Sequence, residues 1–562
     1  MATRNSGRGH ALGLDFGTES ARAVVVDVQT GDIRAVASRR YASGVIAETQ
    51  PGGEGRLPPG WALQDPGDWL QALAEAVPAA LAESGVAPAS IVGVGIDCTS
   101  CTVLPCTGDG APLCTLDDYR ARPHAWPKLW KHRTPQRHAD RINDLAAARR
   151  EPWLPRYGGG LAPDWMLPKA CELVVEDGEI YRAAARIVEA GDWIGWQLTG
   201  RLARNACAAG YKAGWCKAGG YPTAAFLAAV HSDLEDLYTA KLAGPVLGPG
   251  TLLGGLTRPW AERLGLTAGT PVAVPIVDAH AAVLGTGVAD AGALVMVMGT
   301  SACQMLLADR EVSIPGIAGV VEDGILPGLF AYEAGQPAVG DLLTWFVETV
   351  APRALHREAE SRGLPVHALA SRKAAALRPG ESGLIALDWW NGNRSLLKDG
   401  ELTGMILGMT LATRPEEIYR ALVEGTAFGA RMAIDAFTGH GLAVHTVVCT
   451  GGLASDACLL EIYADSLDRE LLVAGSEQAS AVGAAMLGAT AAGPAAGGHA
   501  SLRDAVLGMA LPPRARILPQ AGHRAACEAL YRAYRDAHDH FGRGGTDLMR
   551  RLSALRRAVR DP

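Results

Sequence analysis

Three short apolar runs, each cut off by a glycine turn, constrain this chain more than any other feature. Residues 11–16, ALGLDF, run into Gly17-Thr18; ALVMVM (293–298) runs into Gly299-Thr300; VVCT (447–450) runs into Gly451-Gly452. Residues 11–28, ALGLDFGTESARAVVVDV, place a second apolar run directly after the turn, the pattern of a β-hairpin. The same strand, Gly-Thr turn, strand unit returns near residue 300. The repetition predicts two α/β halves of related plan with a boundary near 285–295, each giving one Gly-Thr turn to a shared cleft.

The intervening segments fit this plan. Residues 68–84, DWLQALAEAVPAALAES, have helical spacing, and 91–106, IVGVGIDCTSCTVLPC, read as strand then turn. The 121–200 region is rich in Trp, Pro and charge and is expected to be an insertion that shapes a pocket. PVAVPIVDAHAAVLGTG begins the second strand-rich stretch at 271, and LLEIYADSL (459–467) reads as a helix. AVGAAMLGATAAG (481–493) is a small-residue helix suited to close packing, and MRRLSALRRAVR (549–560) a basic amphipathic helix or frayed tail with a solvated face. The expected divisions are a tail at 1–10, halves at 11–290 and 291–545, and a basic end at 546–562.

Composition narrows the function classes. The chain has 562 residues, 48% hydrophobic and 20% charged, with net charge −7, so globular cores are expected and a nucleic-acid partner is not. The opening residues, MATRNSGRGH, hold no apolar stretch, so the expectation is a cytoplasmic protein. The uncharged stretches 291–308 and 480–496 are interrupted by glycine and by polar residues or proline, and are expected inside the fold rather than across a membrane. Eleven cysteines, an odd number, read as reduced thiols. Cys98, Cys101 and Cys106 lie close together but lack a second ligand pair, so small core thiols are favoured over a metal site.

The familiar nucleotide fingerprints are absent. No Gly-Lys dipeptide occurs, which excludes a P-loop; there is no GxGxxG and no HExxH. Phosphate must then be held by β-turns whose backbone N–H groups converge on its oxygens, with glycine allowing close approach and a hydroxyl adding a donor. Asp15-Phe16-Gly17-Thr18 fits, with a carboxylate for Mg²⁺ directly or through water. Gly299-Thr300-Ser301 supplies a second turn and Gly451-Gly452 a third. Each turn alone is weak evidence; three, each after an apolar strand and spread across two halves, are much stronger together.

The opening LGLDFGTESARAVVVD and the segment GELTGMILGMTLATRPEEIYRALVEGTAFGAR (400–431) resemble the FGGY family of carbohydrate kinases, in the fold group of actin and hexokinase. Within it, RPHAWPKLWKH (122–132), EAGDWIGWQLTG (189–200), YKAGW (211–215) and LDWWNGNRSLLKD (387–399) resemble the ribulokinase branch. The resemblance implies a two-domain, ribonuclease H-like α/β fold with the catalytic cleft between a sugar-binding and a nucleotide-binding half. It implies ATP and Mg²⁺, and phosphorylation of a ketopentose, most simply L-ribulose at O5. Asp278 matches the family's base and Asp15 its Mg²⁺-associated carboxylate; Thr18 and Arg22 match phosphate-facing positions. Ser100, Trp130, Lys212 and Glu333 fall in the sugar-lining segments. Gly299, Thr300, Gly451, Gly452 and Asp456 fall at the nucleotide. The loop after Gly452 departs from the branch, with Asp456 and Ala457 where Lys and Asn are usual. Cys98-Thr99-Ser100-Cys101 replaces a more glycine-containing turn.

Each residue has a plainer reading as well. Asp278 follows PVAVPIV and would also serve as a helix N-cap. Asp97, after IVGVGI, would cap, bond locally or touch the sugar. Lys212, Trp130 and Glu333 have surface, core and ion-pair alternatives, and His280 reads as a packing or supporting residue rather than the base. Rival functions are a kinase of D-ribulose or xylulose, an actin-like ATPase without a sugar base, and a sugar-sensing repressor, which would be expected to carry a basic helix-turn-helix domain at one end. A homodimer is left open.

Overall fold

The computed structural model describes residues 9–53 and 55–560. Most of the segment expected as an N-terminal tail therefore lies outside the described residues, and His10 already opens the first strand.

The first sheet is built on β1 (His10–Phe16), β2 (Ser20–Asp27), β3 (Ile33–Arg40) and β4 (Ile91–Cys98). β1 and β2 form the expected hairpin, and β1 runs parallel to β4. Helix α1 (Pro66–Ser84) covers one face, starting from an Asp65 N-cap and stopping at Gly85, whose φ of 64° suits a left-handed C-cap. Next come β5 (Val103–Cys106), which pairs with β6 (Arg186–Glu189), and the helices α2 (Met166–Glu176) and α3 (Ala206–Lys212). The Trp-rich segment expected at 121–200 packs in a core of its own, with Trp126, Trp153 and Trp165 buried alongside Trp61 from an earlier loop. The sheet is completed by β7 (Leu252–Gly255), β8 (Pro271–Ala273) and β9 (Ile276–Val277), the last two both pairing with β4. Helix α4 (Asp278–Gly285) follows β9 without a gap.

The second sheet repeats the plan. β10 (Ala293–Met298) and β11 (Ala302–Ala308) form the hairpin, with β12 (Gly319–Glu322) and β13 (Phe330–Gln336) beyond it. β14 (Thr446–Thr450) lies parallel to β10, as β4 does to β1. β15 (Leu471–Val473) and β16 (Ala515–Ile517) close the other edge. The order β3-β2-β1-β4 in the first sheet thus has its counterpart β13-β11-β10-β14 in the second.

Helices α5 (Pro415–Gly439) and α6 (Ala457–Leu467) pack on the second sheet's core. Helix α7 (Ala479–Ala492) does not stay with its own half: it packs on β1, β4 and α4. The contact is backbone against backbone. A Cβ on Gly13 would lie 1.8 Å from the Ala481 carbonyl oxygen, and one on Gly95 1.7 Å from that of Ala484. Only glycine admits this approach, which is why a small-residue helix sits here. Helix α8 (Arg524–Gly542) and α9 (Leu548–Arg560) end the fold; α9 is tied down by Arg550 to Asp399 and Arg557 to Glu401. Among the described residues no helix is long and apolar enough to cross a membrane. All eleven cysteines are unpaired, and Cys98, Cys101 and Cys106 are buried core thiols.

Candidate active site

Strand register gathers three carboxylates. Asp15 on β1 stands opposite Asp97 on β4, and Asp97 in turn stands opposite Ile276 on β9, two residues before Asp278. Parallel neighbours in register present the same face, so the three acids share one end of the sheet.

Asp278 is the first residue of α4, and its Oδ1 accepts a hydrogen bond from the Ala279 N–H at 2.7 Å. Its capping is confined to its own neighbour. Burial lifts its carboxyl to about 7; repulsion from Asp15 and Glu333 adds to this, while the Ala279 N–H and Lys212 oppose it. Such a group is poised to exchange a proton near neutrality.

Asp15 pairs with Arg22 across the hairpin at 2.6 Å. The register Asp15↔Arg22 engages its guanidinium with the carboxylate, and Arg22 lines neither cavity described below. Asp97 is fully buried, and neither of its oxygens has a hydrogen-bond partner. Burial first, then the nearby Asp15 and Asp278, push its carboxyl well above the usual range. Buried carboxylates with one arginine among them suit a hard cation with oxygen ligands. Among the described residues no group of three or more His, Cys, Asp or Glu side chains converges as a metal cage.

A cavity of about 230 Å³ opens beside Asp278. Ser100, Trp130, Lys212, Asp278 and Glu333, expected at the sugar, line it together with Thr18, Gly299 and Thr300, expected at the phosphates. Trp130 Nε1 donates to Thr18 Oγ1 at 3.0 Å, joining the insertion to the first phosphate turn. Lys212, at the end of α3, donates to both oxygens of Glu333 on β13, at 2.9 and 2.7 Å. His280 is buried, with its Nε2 3.6 Å from Glu333, and burial lowers its imidazole to about 4.

Asp164, Trp165, Cys303, Arg394 and Lys398 also line the cavity and were not singled out from the sequence. Arg394 and Lys398 belong to LDWWNGNRSLLKD, so the signal was present at segment level. Lys398 donates to the carbonyls of Tyr157 and Gly160, and burial lowers its ammonium to about 7.

A second, more open cavity of about 820 Å³ adjoins the first and shares Gly299 and Thr300 with it. Gly452, Asp456, His367, Arg372 and Tyr419 are on its wall. Gly451 has φ 93°, and a Cβ there would meet the Met298 carbonyl at 2.5 Å, so its place is set by backbone approach. The Asp456 carboxylate accepts from the Leu459 N–H at 3.1 Å and caps α6. A helix N-terminus favours an anion there, so this carboxylate both caps α6 and faces the larger cavity.

Residues 10–285 match the family model for the FGGY carbohydrate kinase N-terminal domain, and 294–492 that for the C-terminal domain. The ribulokinase of Anoxybacillus flavithermus is 48% identical over 555 residues, covering 99% of this chain and 98% of the relative. That of Mycolicibacterium smegmatis is 44% identical over 548 residues, covering 97% and 96%. Among solved structures, the xylulose kinase of Rhodospirillum rubrum superposes with TM-score 0.74 at 24% identity, over 94% of this chain and 98% of that one. Plasmodium falciparum glycerol kinase with ADP superposes with TM-score 0.72 at 16% identity, over 94% and 98%. These structures share the fold. With both halves matched in sequence and the two turns meeting at one cleft, the chain belongs to the FGGY family of carbohydrate kinases.

Proposed function

We propose that this carbohydrate kinase transfers the γ-phosphoryl group of ATP to a ketopentose, L-ribulose, at its 5-hydroxyl, with Asp278 as general base. The observation that carries the reading is the shared wall: Gly299 and Thr300 border both cavities, and Asp278 borders the smaller one. A sugar in the small cavity and a nucleotide in the large one would meet at that turn. The ribulokinases that match the chain nearly end to end support ribulose as the substrate.

In this mechanism the ketose hydroxyl attacks the γ-phosphorus, its proton passes to Asp278, and ADP leaves. Base assistance of this kind contributes about 10²–10⁴-fold. The remaining work is positioning and charge stabilisation. The turns at Gly17-Thr18 and Gly299-Thr300 offer backbone N–H and hydroxyl donors to phosphate oxygens. Mg²⁺ near Asp15, with Asp97 behind it, would supply countercharge for the triphosphate. Lys212, Glu333 and Trp130 would hold the sugar so that one hydroxyl faces the base. The first half supplies most of the sugar site and the second the nucleotide site. Eleven unpaired cysteines suit a reducing compartment, the cytoplasm.

The test is ADP release coupled to a spectroscopic readout, run with L-ribulose, D-ribulose, L- and D-xylulose, ribitol and glycerol. L-ribulose should give the highest kcat/KM. Turnover with none of the ketopentoses would overturn the reading.

A further inference from the structure

Lys169, on α2, is only 1% exposed, yet no carboxylate accepts from it. Its ammonium donates instead to three backbone carbonyls: Cys101 at 2.5 Å, Leu129 at 2.8 Å and Lys128 at 3.2 Å. Three donors meet three acceptors, so the group is saturated. Burying an ammonium is costly, and a well-packed apolar side chain often serves stability as well or better. Stability alone therefore does not account for a charge here.

The three acceptors are not equivalent. The Lys128 carbonyl also accepts from the Val103 N–H, and that of Leu129 from the His132 N–H. The Cys101 carbonyl has Lys169 as its hydrogen-bond donor among the described residues. Cys101 is a non-glycine residue at φ 55°, a conformation that needs its surroundings to hold it. It ends the turn that carries Ser100, whereas Lys128 and Leu129 lead directly into Trp130. Both Ser100 and Trp130 line the smaller cavity, and Trp130 bonds Thr18 of the first phosphate turn.

We infer that Lys169 is a positioning residue for the sugar site: its ammonium pins the Ser100 turn and the Trp130 segment to each other, so that both face the ketose in one geometry. This rests on the cavity beside Asp278 being the sugar site. Lys169 does not line that cavity and acts only through the two segments it ties.

The test compares Lys169→Met, which keeps the length and apolar packing of the stem, with wild type. Because loss of the ammonium leaves the Cys101 carbonyl unpaired, KM for L-ribulose should rise by about tenfold or more, while kcat and KM for ATP stay within about threefold. Trp130→Ala should raise the same KM, and the double variant should be far less than additive, since both act through one segment. Lys169→Gln, which keeps N–H donors on a shorter stem, should fall between wild type and Met, and it serves as the primary variant if Met fails to fold. A lowered melting temperature with an unchanged sugar KM in the variant that folds would overturn the proposal, leaving a structural role only. Equal losses in sugar and ATP KM, or strict additivity with Trp130→Ala, would do the same. Absence of L-ribulose turnover in wild type would instead strike the functional reading on which it rests.

Discussion

Lys212 and Glu333 meet from opposite halves of the chain, with the ammonium 2.9 and 2.7 Å from the two carboxylate oxygens and both side chains almost fully buried. The pair joins the end of α3 to β13 on the wall of the sugar cavity. Burial opposes Glu333 ionisation, but Lys212 holds its carboxyl below the usual range. The pair is therefore charged and ready to exchange hydrogen bonds with sugar hydroxyls.

Removing one partner leaves a buried charge uncompensated, which costs about 3–5 kcal/mol. Lys212→Met and Glu333→Gln should each lower stability and raise KM for the sugar. The Met/Gln double variant should recover part of the stability without recovering sugar affinity. Chemical denaturation and steady-state kinetics on the four proteins check this.

The raised carboxyl of Asp278 sets a pH dependence. A base must be ionised, so activity is present above its pKa and lost as pH falls through it. For the free enzyme kcat/KM should fall about tenfold per unit below pH 7. Cation binding near Asp15 favours ionisation, so saturating Mg²⁺ should move the acid limb lower. A profile flat from pH 8 to 5 would contradict the assignment.

Helix α7 on the first sheet leaves no room for side chains at the contact. Gly95→Ala places a methyl 1.7 Å from the Ala484 carbonyl oxygen, so the loss should exceed about 3 kcal/mol, the upper range for overpacking. Gly380→Ala, with nothing within 4 Å of its Cβ but φ 77°, is the control for backbone strain alone and should cost much less. Thermal melts separate the two.

The bond from the Leu459 N–H to Asp456 predicts that this side chain's main effect is on its helix. Asp456→Ala should cost about 1 kcal/mol in stability, a typical N-cap loss, and leave KM for ATP within about threefold. A large rise in ATP KM without loss of stability would restore the nucleotide contact.

Much of this was legible in the residues themselves. Period, apolar runs and glycine turns are local signals, and they placed both hairpins, α1, the Gly299-Thr300 turn and the strand-end position of Asp278. Arg22 was not legible in the same way, because its partner is set by hairpin register, which fixes Asp15 opposite it. The capping role of Asp456 depends on α6 beginning at the next residue, a boundary that the loop's own sequence does not mark. The seat of α7 on β1 and β4 joins segments more than 380 residues apart in sequence, and the contacts of Lys169 join α2 to two separate loops. Such pairings follow from packing, which no local pattern encodes.

The most direct test of the central claim is Asp278→Asn, a substitution close in shape that removes the proton acceptor. Turnover of L-ribulose should fall by about 10²-fold or more, while calorimetry shows sugar binding within a few-fold of wild type. A variant that retains a tenth of the wild-type rate would mean that the proton goes elsewhere.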